Sequence, residues 1–463
     1  MTPLWTSEEI VAATGGVASA AFEVSGVAFD SREIEPGFLF VAMPGTAFDG
    51  HDFIEKAFAN GAVAALVSRD VEAPHVRVDD VPAALEALAK AARARIAEEA
   101  VVIGVTGSVG KTSTKEALYA AADRITRGKA HRSVKSYNNH TGVPLSLARM
   151  PRETRIGVFE MGMNHSGEIA ALTRMVRPHV ALITAIAPAH IENLGSMEAI
   201  ADAKAEIFEG LESGGTAILP EASDYRDRLV KAARRHAGRT LTFGGREGDV
   251  AAVNQASARR GGNLVTARLP GRELTFTVAQ RGEHWVSNAL AVLAAIHAAG
   301  GDVAIAGLAL ADMAGLAGRG ERLTVPVGEG EALLIDESYN ANSASMAATL
   351  KSLGAEAAKR RIAVLGAMKE LGVESARLHA DLADPVRAAK VDVGILVGAE
   401  MAPLAEALGD DEIEVVRVET AEEATRVLRE RMRAGDAILV KASNSMGLGK
   451  LVADVKRGAP CST

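Results

Sequence analysis

The sequence predicts an α/β protein built on mostly parallel sheets, and three features carry that expectation. Short apolar runs alternate with amphipathic helical segments through most of the 463 residues, as βαβ units do. A glycine-rich turn, Thr106-Gly107-Ser108-Val109-Gly110-Lys111-Thr112, lies between one such run and a helix. Aromatic residues make up only 4% of a chain rich in alanine, so the core is mostly Ala, Val, Leu and Ile, which suits helices lying on sheets.

The length allows about two to four domains, and the runs fall into three units. The first covers residues 1–97. Thr6-Ser7-Glu8-Glu9-Ile10 reads as a capped helix start. Strands are expected at Gly26–Phe29, Phe38–Ala42 and Ala62–Val67. Between them Asp30-Ser31-Arg32 and Gly45–Phe53, with Asp49, Gly50 and His51, read as polar turns. The alanine-rich helix Pro82–Ala97 closes the unit.

The second unit covers 98–315. Strands are expected at Val101–Val105, Ile156–Phe159, Val180–Ile186 and Thr216–Leu219, with helices between them. Thr240–Thr277 alternates like antiparallel strands, with a turn at Gly261-Gly262-Asn263, before a helix over Gly282–Gly300. The third unit, 316–463, repeats the α/β pattern with strands at Ala332–Ile335, Ile362–Leu365, Val393–Val397 and Ala437–Val440. The basic stretches Lys231–Arg239 and Lys359–Arg361 read as solvated helix faces.

A glycine-rich turn between a buried strand and a helix is a phosphate cradle, because glycines admit the anion and the first helical N–H groups point at it. In that reading Lys111 neutralises the β- and γ-phosphates and the Thr112 hydroxyl holds Mg²⁺. The spacing departs from strict G-x-x-x-x-G-K-[ST], with valine at 105 and glycines at 104 and 107. Ligands of open parallel sheets sit at the carboxyl ends of the strands, so the polar residues there are candidates. Glu160 stands where a metal-binding acid belongs, or caps a helix. His190 follows a strand in a Pro-Ala-His turn and is either a ligand or structural. Lys204 lies on a helix, where most lysines are exposed and inert. Asn288 opens an apolar helix and either caps it or pairs with a purine edge. Arg319, flanked by glycines, is either a linker residue or a guanidinium that closes on phosphate. Together they suggest an ATP site between the second and third units.

The net charge of −8 argues against a nucleic-acid partner. The single cysteine, Cys461, allows no intrachain disulfide or cysteine metal site. The start of the chain has no basic-then-apolar signal and no run reaches the length of a membrane span, so a cytoplasmic protein without membrane insertion is expected.

At this point the chain resembles the Mur ligases of peptidoglycan synthesis over essentially its full length. Thr106–Thr112 is similar to their phosphate loop, which shares the odd glycine spacing and usually has asparagine where this chain has Val109. Tyr137-Asn138-Asn139 with Gly142-Val143-Pro144, Glu160-Met161-Gly162 with Asn164-His165, Pro188-Ala189-His190 and Ala203–Phe208 resemble family segments. So do Gly282-Glu283-His284 with Asn288, Arg319, Gly366–Gly372 with His379, and Lys441–Ser445, where the family commonly has arginine at Asn444. Asp336, Tyr339, Asn340 and Asn342 resemble the signature of the branch that adds D-alanyl-D-alanine, with Ser343 in place of its proline. Asp30-Ser31-Arg32 and Phe48–Asp52 resemble the family's N-terminal domain.

The resemblance implies a central phosphate-loop ATPase domain between an N-terminal α/β domain for UDP-MurNAc and a C-terminal Rossmann-like α/β domain for the incoming dipeptide. It implies ATP-dependent ligation of D-Ala-D-Ala to UDP-MurNAc-tripeptide through an acyl phosphate, in a monomer. Thr106, Gly107, Ser108, Gly110, Lys111, Thr112, Ser113, Asn288, Arg319, Asp336, Tyr339 and Asn340 are then expected around ATP. Ser31, Arg32, Asp49, Gly50, His51, Asn138, Asn139 and Asn342 are expected around the other substrates. Thr112 and Glu160 would hold one Mg²⁺; His190 and a carbamylated Lys204 would hold the second. Lys111, Lys204, His190 and Glu160 form the implied catalytic set, and His379 is a candidate base for the attacking amine. Other amide ligases of the superfamily (tripeptide-forming, folylpolyglutamate or cyanophycin types) and a non-catalytic paralogue binding UDP-sugar and ATP are the alternatives.

Overall fold

The computed structural model describes residues 2–45, 48–258, 261–313, 315–409 and 411–458. Cys461, and Thr46 and Ala47 of the second N-terminal turn, lie outside the described residues.

Five sheets organise the described residues. The six-stranded central sheet runs Arg239–Phe243, Thr216–Pro220, Val180–Ile183, Val101–Thr106, Ile156–Glu160, Ala130–Arg132, and every pair is parallel. The strand that leads into the phosphate loop sits in the middle. The chain leaves it for one edge and returns past it to the other, so the loop lies at the point where the strand order reverses. Alternate side chains of this strand enter opposite cores: Ile103 and Val105 join one cluster, Val102 the other. Both faces are covered by helices, which explains the continuous apolar runs.

The stretch expected to be antiparallel divides in two. Arg239–Phe243 joins the parallel sheet. The antiparallel sheet begins at Ala251–Ser257 and continues through Asn263–Leu269 and Arg272–Val278. The C-terminal sheet runs Glu321–Val327, Gly330–Glu337, Asp436–Lys441, Arg360–Gly366, Val393–Val397, Glu414–Val418, with only its first pair antiparallel. The N-terminal sheet adds His75–Arg77 and Val17–Ala18 to the three expected strands. Thr6 caps the first helix, Ser7–Thr14, in a capping box with Glu9.

Lys359–Arg361 is not a helix face. Arg360 opens a strand and pairs with Asp436 at 2.8 Å, and Arg361 binds the Glu356 carbonyl at 2.8 Å. The basic run Lys231–Arg239 spans the end of helix Arg226–Ala233 and the first residue of a strand, so only Lys231–Ala233 is helical.

Candidate active site

A cavity of about 580 Å³ lies over the carboxyl ends of the central strands and is lined from both the central and the C-terminal units.

Its floor is the phosphate loop. Gly107 has φ 145°, and a Cβ there would lie 2.0 Å from the Thr184 hydroxyl. Thr184, at the end of the neighbouring strand, donates to the Val109 carbonyl at 2.5 Å and to that of Thr106 at 3.2 Å. Val109 therefore serves the loop through its backbone carbonyl, and it also lines the cavity. Gly110, at φ 81°, precedes the helix Lys111–Thr126, and a Cβ on it would meet Asn288 Oδ1 at 2.8 Å. Ser108, Gly110, Lys111, Thr112 and Ser113 line the cavity; Thr106 and Gly107 do not, Thr106 being fully buried beneath. Lys111 Nζ donates to the Gly107 carbonyl at 2.7 Å, and burial pushes its pKa below the usual lysine value.

Beside the loop, Thr112 donates to Glu160 Oε2 at 2.8 Å and Asn138 Nδ2 donates to Glu160 Oε1 at 2.7 Å. The Ser133 hydroxyl accepts the Glu160 N–H at 2.9 Å. Glu160 is thus no helix cap: it ends its strand, 1% exposed, with both oxygens held. Lys204 is fully buried and its Nζ has no hydrogen-bond partner. Burial first, and then the Lys111 charge, push its pKa well below the ordinary value. An exposed, inert lysine is therefore excluded. His190 lines the cavity in left-handed backbone, φ 59°, and its Nδ1 contacts the Glu370 carboxylate of the C-terminal unit. The bond to His190 lowers the Glu370 pKa. Asn288 lies inside helix Glu283–Ala298, whose N-cap is Gly282, so its amide does not cap and faces the cavity.

The opposite wall comes from the C-terminal unit. The Arg319 guanidinium lies 4.2 Å from the Tyr339 ring centroid, and Tyr339 and Asn340 line the cavity. Gly318 and Gly320 flank the arginine at φ 72° and 84°. Cβ atoms there would come within 2.8 Å of Tyr339 and of the Trp285 ring. Asp336 points away from the cavity, accepting from the Gly318 N–H at 2.8 Å and from the Ser338 hydroxyl at 2.6 Å. The acid that lines the cavity is Glu337, one residue on and on the other strand face. It lies 3.5 Å from Lys441, which also donates to the Asn340 carbonyl at 3.0 Å. Burial pushes the Lys441 pKa down and the Glu337 pKa up. Asn342 lines the cavity while capping helix Ser343–Gly354, accepting from the Ser345 N–H at 2.9 Å.

Asn138 and Asn139 reach the cavity, but Ser31, Arg32, Asp49, Gly50 and His51 do not line it. The N-terminal turns are short 3₁₀ helices capped by Asp30 and Asp49. His51 Nε2 accepts the Ser68 N–H at 3.1 Å, so its Nδ1–H donates to Asp49 at 2.6 Å. A link to the cavity runs through Glu33, which accepts from Tyr137 at 2.8 Å, next to Asn138. His379 cannot serve as a base. It is fully buried, its Nε2 accepts the Met368 N–H at 2.9 Å, and its Nδ1–H donates to the Ser375 carbonyl at 2.8 Å. Among the described residues no cluster of three His, Cys, Asp or Glu forms a ready-made metal site. Thr184, Trp285 and Glu337 are site residues that the sequence reading does not assign, and Glu370 enters it only within the segment Gly366–Gly372; position at strand ends is the signal that points to Thr184 and Glu337.

Family models match three segments: the Mur ligase family catalytic domain at residues 23–127, the Mur ligase middle domain at 105–296, and the Mur ligase glutamate ligase domain at 318–444. The UDP-N-acetylmuramoyl-tripeptide–D-alanyl-D-alanine ligase of Bacillus subtilis is 35% identical, over 95% of this chain and 96% of its own. A crystal structure of MurF from Acinetobacter baumannii is similar with a TM-score of 0.85 at 29% identity, covering 99% of both chains. MurF from Thermotoga maritima, solved in complex with ADP, is similar with a TM-score of 0.76 at 28% identity, over 94% of this chain and 97% of that one.

Proposed function

The chain belongs to the Mur ligase family, and we propose that it joins D-alanyl-D-alanine to UDP-N-acetylmuramoyl-tripeptide at the expense of ATP. The observation that carries this reading is one cavity in which Lys111, Thr112 and Glu160 of the central unit face Arg319, Tyr339 and Glu337 of the C-terminal unit. The N-terminal unit (1–97) takes the UDP-sugar end, the central unit (98–315) ATP, and the C-terminal unit (316–463) the dipeptide. The monomer works in the cytoplasm; no helix among the described residues is long and apolar enough to cross a membrane.

The chemistry brings two anions together. The terminal carboxylate of the tripeptide attacks the γ-phosphorus, giving an acyl phosphate and ADP. The dipeptide amine, as free base, then attacks the acyl carbon, and inorganic phosphate leaves as the amide forms. Lys111 and the N–H groups of the first helical turn offset the phosphate charge. The Ser108 hydroxyl, buried and without a partner, is free to bind a phosphate oxygen. Arg319 closes on the nucleotide from the far wall, and Asn288 faces its base. The two walls together exclude water, which protects an acyl phosphate from hydrolysis.

We assign the donors present to two Mg²⁺ ions. Thr112 and Glu160 offer hard oxygens 2.8 Å apart, and substrate phosphates complete such a shell. The partnerless Nζ of Lys204, buried beside a second lysine, suits carbamylation: burial favours the neutral amine that takes up CO₂, and the carbamate replaces a repelled cation with an oxygen ligand. With His190 it would hold the second ion. Bound Mg²⁺ supplies charge screening between the two anions.

Incubating the protein with ATP, Mg²⁺, UDP-MurNAc-tripeptide and D-Ala-D-Ala tests the reading. The expected result is one pentapeptide and one phosphate per ADP. Phosphate release without pentapeptide, or ligation of a different amino acid in preference to the dipeptide, would overturn it.

A further inference from the structure

One buried lysine lies outside every assigned set. Lys115 lies one turn beyond Lys111 on the same helix and its side chain is 0% exposed. Its ammonium donates to the Lys135 carbonyl at 2.5 Å and to the Ser133 carbonyl at 3.3 Å, and pairs with Glu116 at 2.7 Å. Those contacts account for all three of its donors. Lys135 has φ 47°, a left-handed conformation that costs a side-chain-bearing residue free energy. The carbonyl of that strained residue is one of the two that Lys115 holds.

The segment so pinned carries the partners of the site. Ser133 Oγ accepts the Glu160 N–H, Ser136 Oγ lies 3.3 Å from the Thr112 hydroxyl, and Asn138 donates to Glu160 at 2.7 Å. One helix therefore presents Lys111 to phosphate and, a turn later, fixes the backbone that aims the Glu160 carboxylate. We propose that Lys115 is a positioning residue for metal-nucleotide binding, acting through the segment Ser133–Asn139. This rests on the reading that Thr112 and Glu160 hold the metal of a bound nucleotide.

The test is Mn²⁺ binding, standing in for Mg²⁺, to the full chain in the presence of ADP, followed by electron paramagnetic resonance. Lys115→Met should weaken Mn²⁺ about 10-fold or more, the scale of a lost second-layer contact. Lys115→Arg, which keeps donors for both carbonyls, should restore most of it. Asn138→Ala should also weaken binding, and adding Lys115→Met to it should cost little further, because both act on one carboxylate. Circular dichroism and melting establish that K115M folds. If it does not, Lys115→Gln takes its place, with affinity expected in the order wild type, K115R, K115Q. Wild-type Mn²⁺ affinity in K115M, or in K115Q where that replaces it, or losses that multiply in the double variant, would overturn the proposal. Failure of the wild type to bind Mn²⁺ with ADP would instead overturn the underlying reading of Thr112 and Glu160.

Discussion

The two walls of the cavity are built differently. On the central side, Thr112, Glu160 and Asn138 are tied to each other at 2.7–2.8 Å and to strand ends of an all-parallel sheet. On the C-terminal side, Arg319 rides between two glycines at positive φ and rests on a tyrosine that is itself 38% exposed. The first wall holds its geometry before any ligand arrives, which transition-state stabilisation requires. The second has a hydrogen-bonded backbone, with the Gly318 and Gly320 N–H groups held by Asp336, but its guanidinium rests on a partly exposed ring, and that soft side chain suits a surface that closes on a substrate already in place. Groups on the rigid wall should therefore control the chemical step, and groups on the soft wall the binding of nucleotide.

Lys111→Met tests the rigid wall most severely. It removes the cation at the phosphates while keeping the side-chain length, and kcat should fall by about 10²–10³-fold or more with a smaller change in KM for ATP. A loss confined to KM would show that the loop only binds. Lys204→Ala comes next, with a loss of about 10²-fold. If a carbamate is what the site uses, added formate or acetate should recover part of the activity. Full activity without rescue would remove Lys204 from the mechanism.

The sequence exposes the rigid wall far better than the soft one, for a physical reason. A phosphate loop is local: strand, turn and helix follow each other within Val101–Thr126, so spacing alone shows it. Glu160 and His190 stand out because parallel sheets put functional groups at strand ends. The soft wall depends on which face of a strand a side chain takes. Asp336 and Glu337 are adjacent acids of like chemistry, and only the register against Val440 and Lys441 decides which one meets the cavity. The edge strands Glu321–Val327 and Glu414–Val418 escape notice because their exposed, charged positions interrupt the apolar run. Lys115 reads as another helix lysine in sequence, since its partners at Ser133 and Lys135 are backbone carbonyls brought near by folding.

Arg319→Lys sharpens the comparison on the other side. Lysine keeps the charge but loses the flat face over Tyr339 and the forked donors. The stacking is worth about 0.5–1 kcal/mol at an exposed site, so KM for ATP should rise by about 2–5-fold while kcat holds. A collapse of kcat comparable to that of Lys111→Met would mean that the two walls do not divide the work in this way.

At pH 7.5 the smallest effect expected lies at the seam between the walls, and it grows only as the pH falls. Burial holds the His284 pKa down to about 4, so its ring is neutral in the folded chain at ordinary pH. Below its unfolded value of 6.5 the unfolded chain takes up a proton that the folded chain refuses, and stability falls as pH drops from there towards 4. The contribution is at most about 3 kcal/mol at the acid end and vanishes above neutrality. His284→Asn should therefore leave the melting temperature at pH 7.5 nearly unchanged and flatten its decline between pH 6.5 and 4. His131 supplies the contrast from the edge strand of the central sheet. Burial lowers its pKa to about 4 as well, yet its Nε2 also donates to the Ser146 carbonyl at 2.7 Å. His131→Ala should lower stability at every pH by about 1–3 kcal/mol, because it leaves a carbonyl unpaired, in addition to flattening the acid limb. Equal behaviour of the two variants at pH 7.5 would contradict the distinction between a tied interior and a looser seam.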